Sequence, residues 1–163
     1  GEFFKSFKQA KDFQQYLDLI TEFELWDQIL PNLSVNPFIK NQDSMVLVLA
    51  QILDGNENLA KKLNACVIPS DIIAQVIFLL KLEDFSAEQV LKFYKEKIRI
   101  KLSNETISKW MSIKNEQHHD TLMFINYKPS IISSDVMNDF NLKPSPELGK
   151  KINDLEIELF KNL

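Results

Sequence analysis

Three glycines in 163 residues leave too few side-chain-free positions for a glycine-rich loop that cradles a phosphate with backbone N–H groups. The same scarcity, with few hairpin signals, argues against a chain built of strands. The one cysteine, Cys66, excludes an internal disulfide and suits a reducing compartment. Its neighbours Ala65 and Val67 point to a buried structural thiol. No Gly-x-Ser-x-Gly elbow is present, so the usual strand–turn–helix nucleophile is excluded. No apolar run approaches the ~20 residues of a membrane span, and no signal-peptide pattern opens the chain. The start, Gly1-Glu2-Phe3, reads as a possible cloning remnant, which would make the chain an excised fragment.

Apolar residues make up 45% of the chain and include 12 Phe, enough for a sizeable core in one domain or two small ones. Periodicity predicts an all-α chain of about seven or eight helices: an irregular multi-helix body over 1–128 and a helix–turn–helix tail over 129–163. A helix over about Lys8–Ile20 has Phe13, Tyr16, Leu17 and Ile20 on one face. A short one carries Leu25, Trp26, Ile29 and Leu30. Asp43 or Ser44 opens the next, which stops at Asp54-Gly55-Asn56. Leu59 to Cys66 is a short helix. Pro69-Ser70-Asp71 starts another, striped by Ile73, Val76, Ile77 and Leu80. Ser86 and Gln89 form a capping box, each satisfying the other's backbone N–H. The helix they open turns Leu91, Tyr94, Ile98 and Leu102 inward and its cations mostly outward. Ser103 caps a helix with Ile107, Trp110 and Met111 inward, and Leu122 to Tyr127 reads as an apolar connection.

Charge is unevenly spread. The net −4 divides into −5 over residues 1–85, +4 over 86–114 and −3 over 115–163, counted directly along the chain. The middle segment is a basic island, and a local field matters more to a phosphate than the overall sum.

The tail carries the most specific pattern. Ser133 or Ser134 can cap a helix whose apolar face is Val136, Met137 and Phe140. Asn141 suits its left-handed end and Pro144 prevents continuation. Ser145 caps a second helix, with Pro146 at its first position and Glu147 facing the positive end of the dipole. Leu148, Ile152, Leu155 and Leu159 form one stripe. Gly149 is expected where something passes close to the backbone. In register, Ile132, Asp135, Met137, Leu142, Lys143, Pro144, Pro146, Glu147 and Gly149 resemble the C-terminal end of bacterial-type CCA-adding tRNA nucleotidyltransferases, relatives of poly(A) polymerases. Ser134, Asn141 and Ser145 stand where that pattern has glycine. The run Phe23 to Leu33 resembles the start of the same family's body, with Glu24 at a usual glycine and Asn32 at a usual glutamate.

That resemblance implies a cytoplasmic or organellar, RNA-holding chain without membrane association. It would grip the elbow and acceptor arm of tRNA for a separate N-terminal head. The head would bring Mg²⁺ and CTP or ATP, through a Gly-Ser motif and an Asp-x-Asp pair that this chain lacks. A Glu-Asp-x-x-Arg segment is missing too, since no Arg follows Glu83-Asp84. No catalytic or metal-binding residue and no cofactor is therefore expected here, and this chain alone would be inactive. The expected phosphate contacts are Lys92, Lys95, Arg99, Lys109 and Lys114 on the island and Lys143, Lys150 and Lys151 beside the tail turn. The N–H groups of Pro146–Gly149 are a further phosphate candidate, and Asp135, Pro144, Pro146, Glu147 and Gly149 form the tail motif. The alternative is a helical protein–protein interaction module, which the net negative charge favours. A third reading, a metal phosphohydrolase built on His118-His119-Asp120, lacks a distant third ligand. Adjacent helical residues also point about 100° apart and do not easily share one metal.

Overall fold

The structure, a computed structural model, describes residues 2–82, 85–115 and 119–163, without the side chains of Glu2, His119 and Asp120. Eleven α-helices and one 3₁₀ turn account for its regular structure, and no strand occurs among the described residues. The chain is all-α. The helices are α1 (Glu2–Gln9), α2 (Phe13–Glu22), α3 (Trp26–Ile29), α4 (Met45–Leu53), α5 (Leu59–Asn64), α6 (Ser70–Leu80), α7 (Val90–Arg99), α8 (Asn104–Ile113), α9 (His119–Asn126), α10 (Ser133–Phe140) and α11 (Pro146–Lys161). The 3₁₀ turn, Ala87–Gln89, precedes α7. Two compact units form: Gly1–Glu83 with Glu105–Asn115, and Asp84–Asn104 with Glu116–Leu163. The tail, 129–163, falls wholly in the second unit.

The first unit is organised around α4. Ser44 caps it by accepting from the Leu47 N–H, and all nine of its residues are buried. A helix apolar on every side is a core helix, and α6 packs against it. Gly55, at φ +92°, turns the chain away after α4, a conformation that side chains rarely adopt. A second centre of packing is aromatic: Phe13 lies edge-on to Phe3 and Phe7 and stacks on Tyr16. Burying a side chain such as Phe13 or Leu17, both fully enclosed, stabilises by about 1.5–3 kcal/mol.

Between α3 and α4 the chain has no regular structure, so its backbone polar groups need other partners. Two glutamines supply partners, and a third, Gln42, ties the segment back to the start of α2. Gln51, buried within α4, accepts from the N–H groups of Lys40 and Asn41 and donates to the Asn41 and Leu47 carbonyls. Gln14 accepts from the Ile39 N–H and donates to the Pro37 carbonyl. Gln42 accepts from the Phe13 N–H and donates to the Lys11 carbonyl.

In the second unit α11 packs on α7 and α10. Phe124 of α9 centres an edge-to-face group with Phe85, Phe93 and Phe160, the last only 4.6 Å away between centroids. Two buried charges tie down the chain that leaves α9. Lys97 donates to the Ile125 carbonyl at 2.7 Å and to Asn104 Oδ1 at 2.6 Å. Glu156, fully buried, accepts from the Tyr127 hydroxyl and from the N–H groups of Ser130 and Ile131.

Several expectations need correction. The expected helix over Lys8–Ile20 is broken at 10–12, where Asp12 caps α2 by accepting from the Gln14 N–H. The helices outnumber the seven or eight expected, because a separate α1 precedes that break and the stretch read as an apolar connection is itself helical, α9. Leu122 to Asn126 lies inside α9. Ser86 makes no side-chain cap; its carbonyl accepts from the Gln89 N–H to close a 3₁₀ turn. Ser133 and Ser134 are the first helical residues of α10, whose cap position is Ile132. The α7 interior holds Lys97, while Ile98 is 56% exposed. On α11 the buried row is Leu148, Glu156 and Phe160, and Leu159 faces out. A side chain at Gly149 would meet nothing within 4 Å, so no close approach explains that glycine. Cys66 is half-buried, with burial pushing its thiol pKa up.

Candidate nucleic-acid interface

The cations expected to meet phosphate fall into three physical situations. On α7, Lys92 and Lys95 are exposed and make no ion pair among the described residues. Arg99 is exposed too, but its guanidinium holds Glu96 one turn back at 2.5 Å, which raises its pKa. Lys97, between them in sequence, points inward. Its ammonium sits 5.6 Å from the Tyr94 ring centroid and 5.9 Å from that of Phe93. Burial lowers its pKa, and the nearby charge of Lys128 lowers it further.

The tail turn is locally built. Asn141 adopts φ +52°, ψ +46°, and its N–H returns to the Met137 carbonyl to close α10. Asparagine tolerates that left-handed geometry better than most residues. Ser145, extended, accepts from the Leu148 N–H and donates to the Lys143 carbonyl, with Pro146 next at the helix start. These bonds narrow the expected anion site at Pro146–Gly149. Pro146 has no N–H, Leu148 donates to the Ser145 hydroxyl and Gly149 to the Ser145 carbonyl, leaving the Glu147 N–H. The exposed Glu147 carboxylate in the same turn opposes an anion there as well.

Around this turn, Lys143 and Lys150 are exposed and make no ion pair among the described residues. Lys151 crosses from α11 to α10 and places its ammonium 4.2 Å from the Phe140 ring centroid. Of the tail motif, Asp135 sits exposed in the first turn of α10, and Pro144, Pro146, Glu147 and Gly149 are exposed.

On α8, in the first unit, the cations are already paired. Lys109 bridges Asp43 at 2.9 Å and Glu105 at 3.0 Å. Its hydrogen bond lowers the Asp43 pKa, and the two carboxylates raise that of Lys109. Lys114 meets Asp54 at 2.5 Å and lies 5.6 Å from the Trp110 centroid. A phosphate would have to compete with these carboxylates. The basic island of the sequence is thus divided: Lys92 and Lys95 remain open in one unit, while Lys109 and Lys114 are neutralised in the other.

Among the described residues no three His, Cys, Asp or Glu gather as a metal site. The side chains of His118, His119 and Asp120 lie outside the described residues. No helix among the described residues is long and apolar enough to cross a membrane.

Sequence reasoning missed Lys97 and Glu156 as buried anchors. A signal existed: Lys97 shares a face with Phe93 and Ile100, and Glu156 lies midway between Ile152 and Phe160, four residues from each. No protein-family model, curated protein or solved structure matches the chain.

Proposed function

We propose that this chain is the RNA-gripping body and tail of a tRNA nucleotidyltransferase of the CCA-adding type. It would hold the elbow and acceptor arm while a separate head, using Mg²⁺ with CTP or ATP, extends the 3′ end. The observation that carries the reading is the tail turn. Its pattern residues build a capped, proline-started helix, flanked by the open cations Lys143 and Lys150. Two places where the resembled pattern has glycine add support. Glu24 and Asn141 both take positive φ, +54° and +52°, the region that glycine favours. The exposed Lys92 and Lys95 would add backbone contacts of the kind that reads double-helical RNA by shape.

The test is a titration of unmodified tRNA at low and moderate salt. Affinity should fall as salt rises. Removing Lys92, Lys95, Lys143 and Lys150 together should flatten that dependence, by about 0.7–0.9 in slope for each phosphate no longer neutralised. Absence of binding at low salt, or an unchanged slope in the four-lysine variant, would overturn the reading.

A helical protein-interaction module is the second reading. Ile98, Ile132 and Leu163, all in the second unit, are 56%, 60% and 76% exposed. Single exposed apolar side chains are ordinary on soluble proteins, so this reading stands second.

A further inference from the structure

We infer that Phe38 and the hollow beside it, in the first unit, form a stacking site for one unpaired nucleobase of single-stranded RNA, with Lys40 to meet the adjoining phosphate. The site goes beyond the proposed grip on double-helical RNA and lies on different residues.

The first observation is a large aromatic ring held out in solvent by a backbone that cannot easily retract it. Phe38 is 72% exposed, and no other ring contacts it among the described residues. Yet the residues on both sides of it are fastened. The Asn36 N–H donates to the Ile52 carbonyl at 2.8 Å, and the Pro37 carbonyl accepts from Gln14 at 2.7 Å. The Ile39 N–H donates to Gln14 at 2.9 Å, and the Lys40 N–H to the buried Gln51 at 2.6 Å. Drawing the ring inward would break these bonds and leave enclosed polar groups without partners, which is costly. An irregular segment pinned this tightly, with its one aromatic ring pointing out, presents a platform.

The second observation is what lies beside the ring. A hollow of about 290 Å³ is lined by Phe38 together with Asn36, Lys40, Asp54, Lys114 and Asn115. That is near the lower end of small-molecule sites, roughly 300 Å³, so it suits one planar group and excludes a helix. Besides the apolar Trp110 and Ile113, its lining mixes amides, which donate and accept, with the Asp54 carboxylate, which only accepts. A nucleobase edge offers donors and acceptors that such groups can meet, whereas an aliphatic side chain would leave them unpaired. Lys40 is exposed and makes no ion pair among the described residues, so its charge is available to a phosphate. Lys114 is held by Asp54 and keeps that carboxylate compensated. An aromatic platform next to a free cation is the pairing used by sequence-tolerant single-strand binders.

The probe is a fluorescein-labelled single-stranded adenosine hexaribonucleotide, followed by anisotropy with the full chain at about 50 mM salt. Phe38→Ala should weaken binding fivefold or more, with Phe38→Tyr close to wild type. Lys40→Ala should weaken it and reduce the salt slope by about one. The exposure of Phe38 lets these variants fold, and an unchanged thermal midpoint verifies it. No hexamer binding, binding indifferent to Phe38→Ala, or a wild-type dimer in sedimentation that Phe38→Ala dissolves would each overturn the inference. Failure of tRNA to bind while the hexamer binds through Phe38 would remove the tail reading and leave this one standing; the reverse pattern would remove this one alone.

Discussion

The two units differ in where they put charge. In the first, the charged groups stay at the surface; Lys109 is matched with Asp43 and Glu105 and Lys114 with Asp54, while others such as Lys40 stay open. The interior there is apolar around α4, with the neutral amide of Gln51 as its polar fastener. In the second unit two formal charges, Lys97 and Glu156, go inside, and lysines such as Lys92, Lys95, Lys143 and Lys150 remain open outside. Charge that is already paired has little left for a partner, whereas open charge does. Open lysines are therefore a better guide to where an anionic partner could bind than net charge, which is negative for the whole chain.

The most severe way to break the contrast is Glu156→Ala. It leaves the Tyr127 hydroxyl and two backbone N–H groups buried without an acceptor. A cost of about 3 kcal/mol or more is expected, at about 1–3 kcal/mol per orphaned group with partial relaxation. Urea unfolding measures it, and amide exchange should show protection lost first in α9 to α11. Glu156→Gln, which keeps an acceptor oxygen, should recover part of the loss; equal costs for the two variants would sink this account.

Lys97→Met sharpens the contrast through pH. At neutral pH it orphans the Ile125 carbonyl and Asn104 Oδ1, for about 1–2 kcal/mol. Because the folded pKa of Lys97 is lowered, the unfolded chain binds more protons below the ordinary lysine value of 10.5. Its contribution to stability therefore rises with pH in that alkaline window. The gap between wild type and Lys97→Met should widen as pH rises toward 10.5. Lys109 has the opposite sign. Its folded pKa is raised, so its stabilising contribution is present below 10.5 and is lost as pH climbs through the folded value. Unfolding midpoints measured across that range should show the gap to wild type widening for Lys97→Met and closing for Lys109→Met as pH rises.

The smallest expected effect concerns the tail. Ser145→Ala removes the side-chain cap of α11 and should cost about 1 kcal/mol. Ser133→Ala and Ser134→Ala remove no cap and should stay within about 0.5 kcal/mol of wild type. A thermal-melting series of the three decides it.

The caps that were legible are those whose partner lies within one helical turn. Ser44, Ser145 with Pro146, and Asn141 all act as their residue types predict. The capping box at Ser86 failed because the following residues close a 3₁₀ turn and take up the Gln89 N–H by backbone alone. Of the candidate interface, the lysines were legible as residues but their availability was not. Nothing local distinguishes Lys95 from Lys109 until Asp43 arrives beside one of them. Phe38 was passed over because an apolar residue in an irregular stretch reads as part of the core.

The amino-acid order alone determined that the chain would be helical and where several helices begin and end, because helix propensity, caps and glycine or proline stops act over three or four residues. Tertiary structure alone decided which charges are buried, paired or left open. Their partners stand far along the chain: 28 residues separate Lys97 from Ile125, 29 separate Tyr127 from Glu156, and 60 separate Lys114 from Asp54. Electrostatic and hydrogen-bond energies depend on distance in space and on burial, and neither is set until the helices have packed.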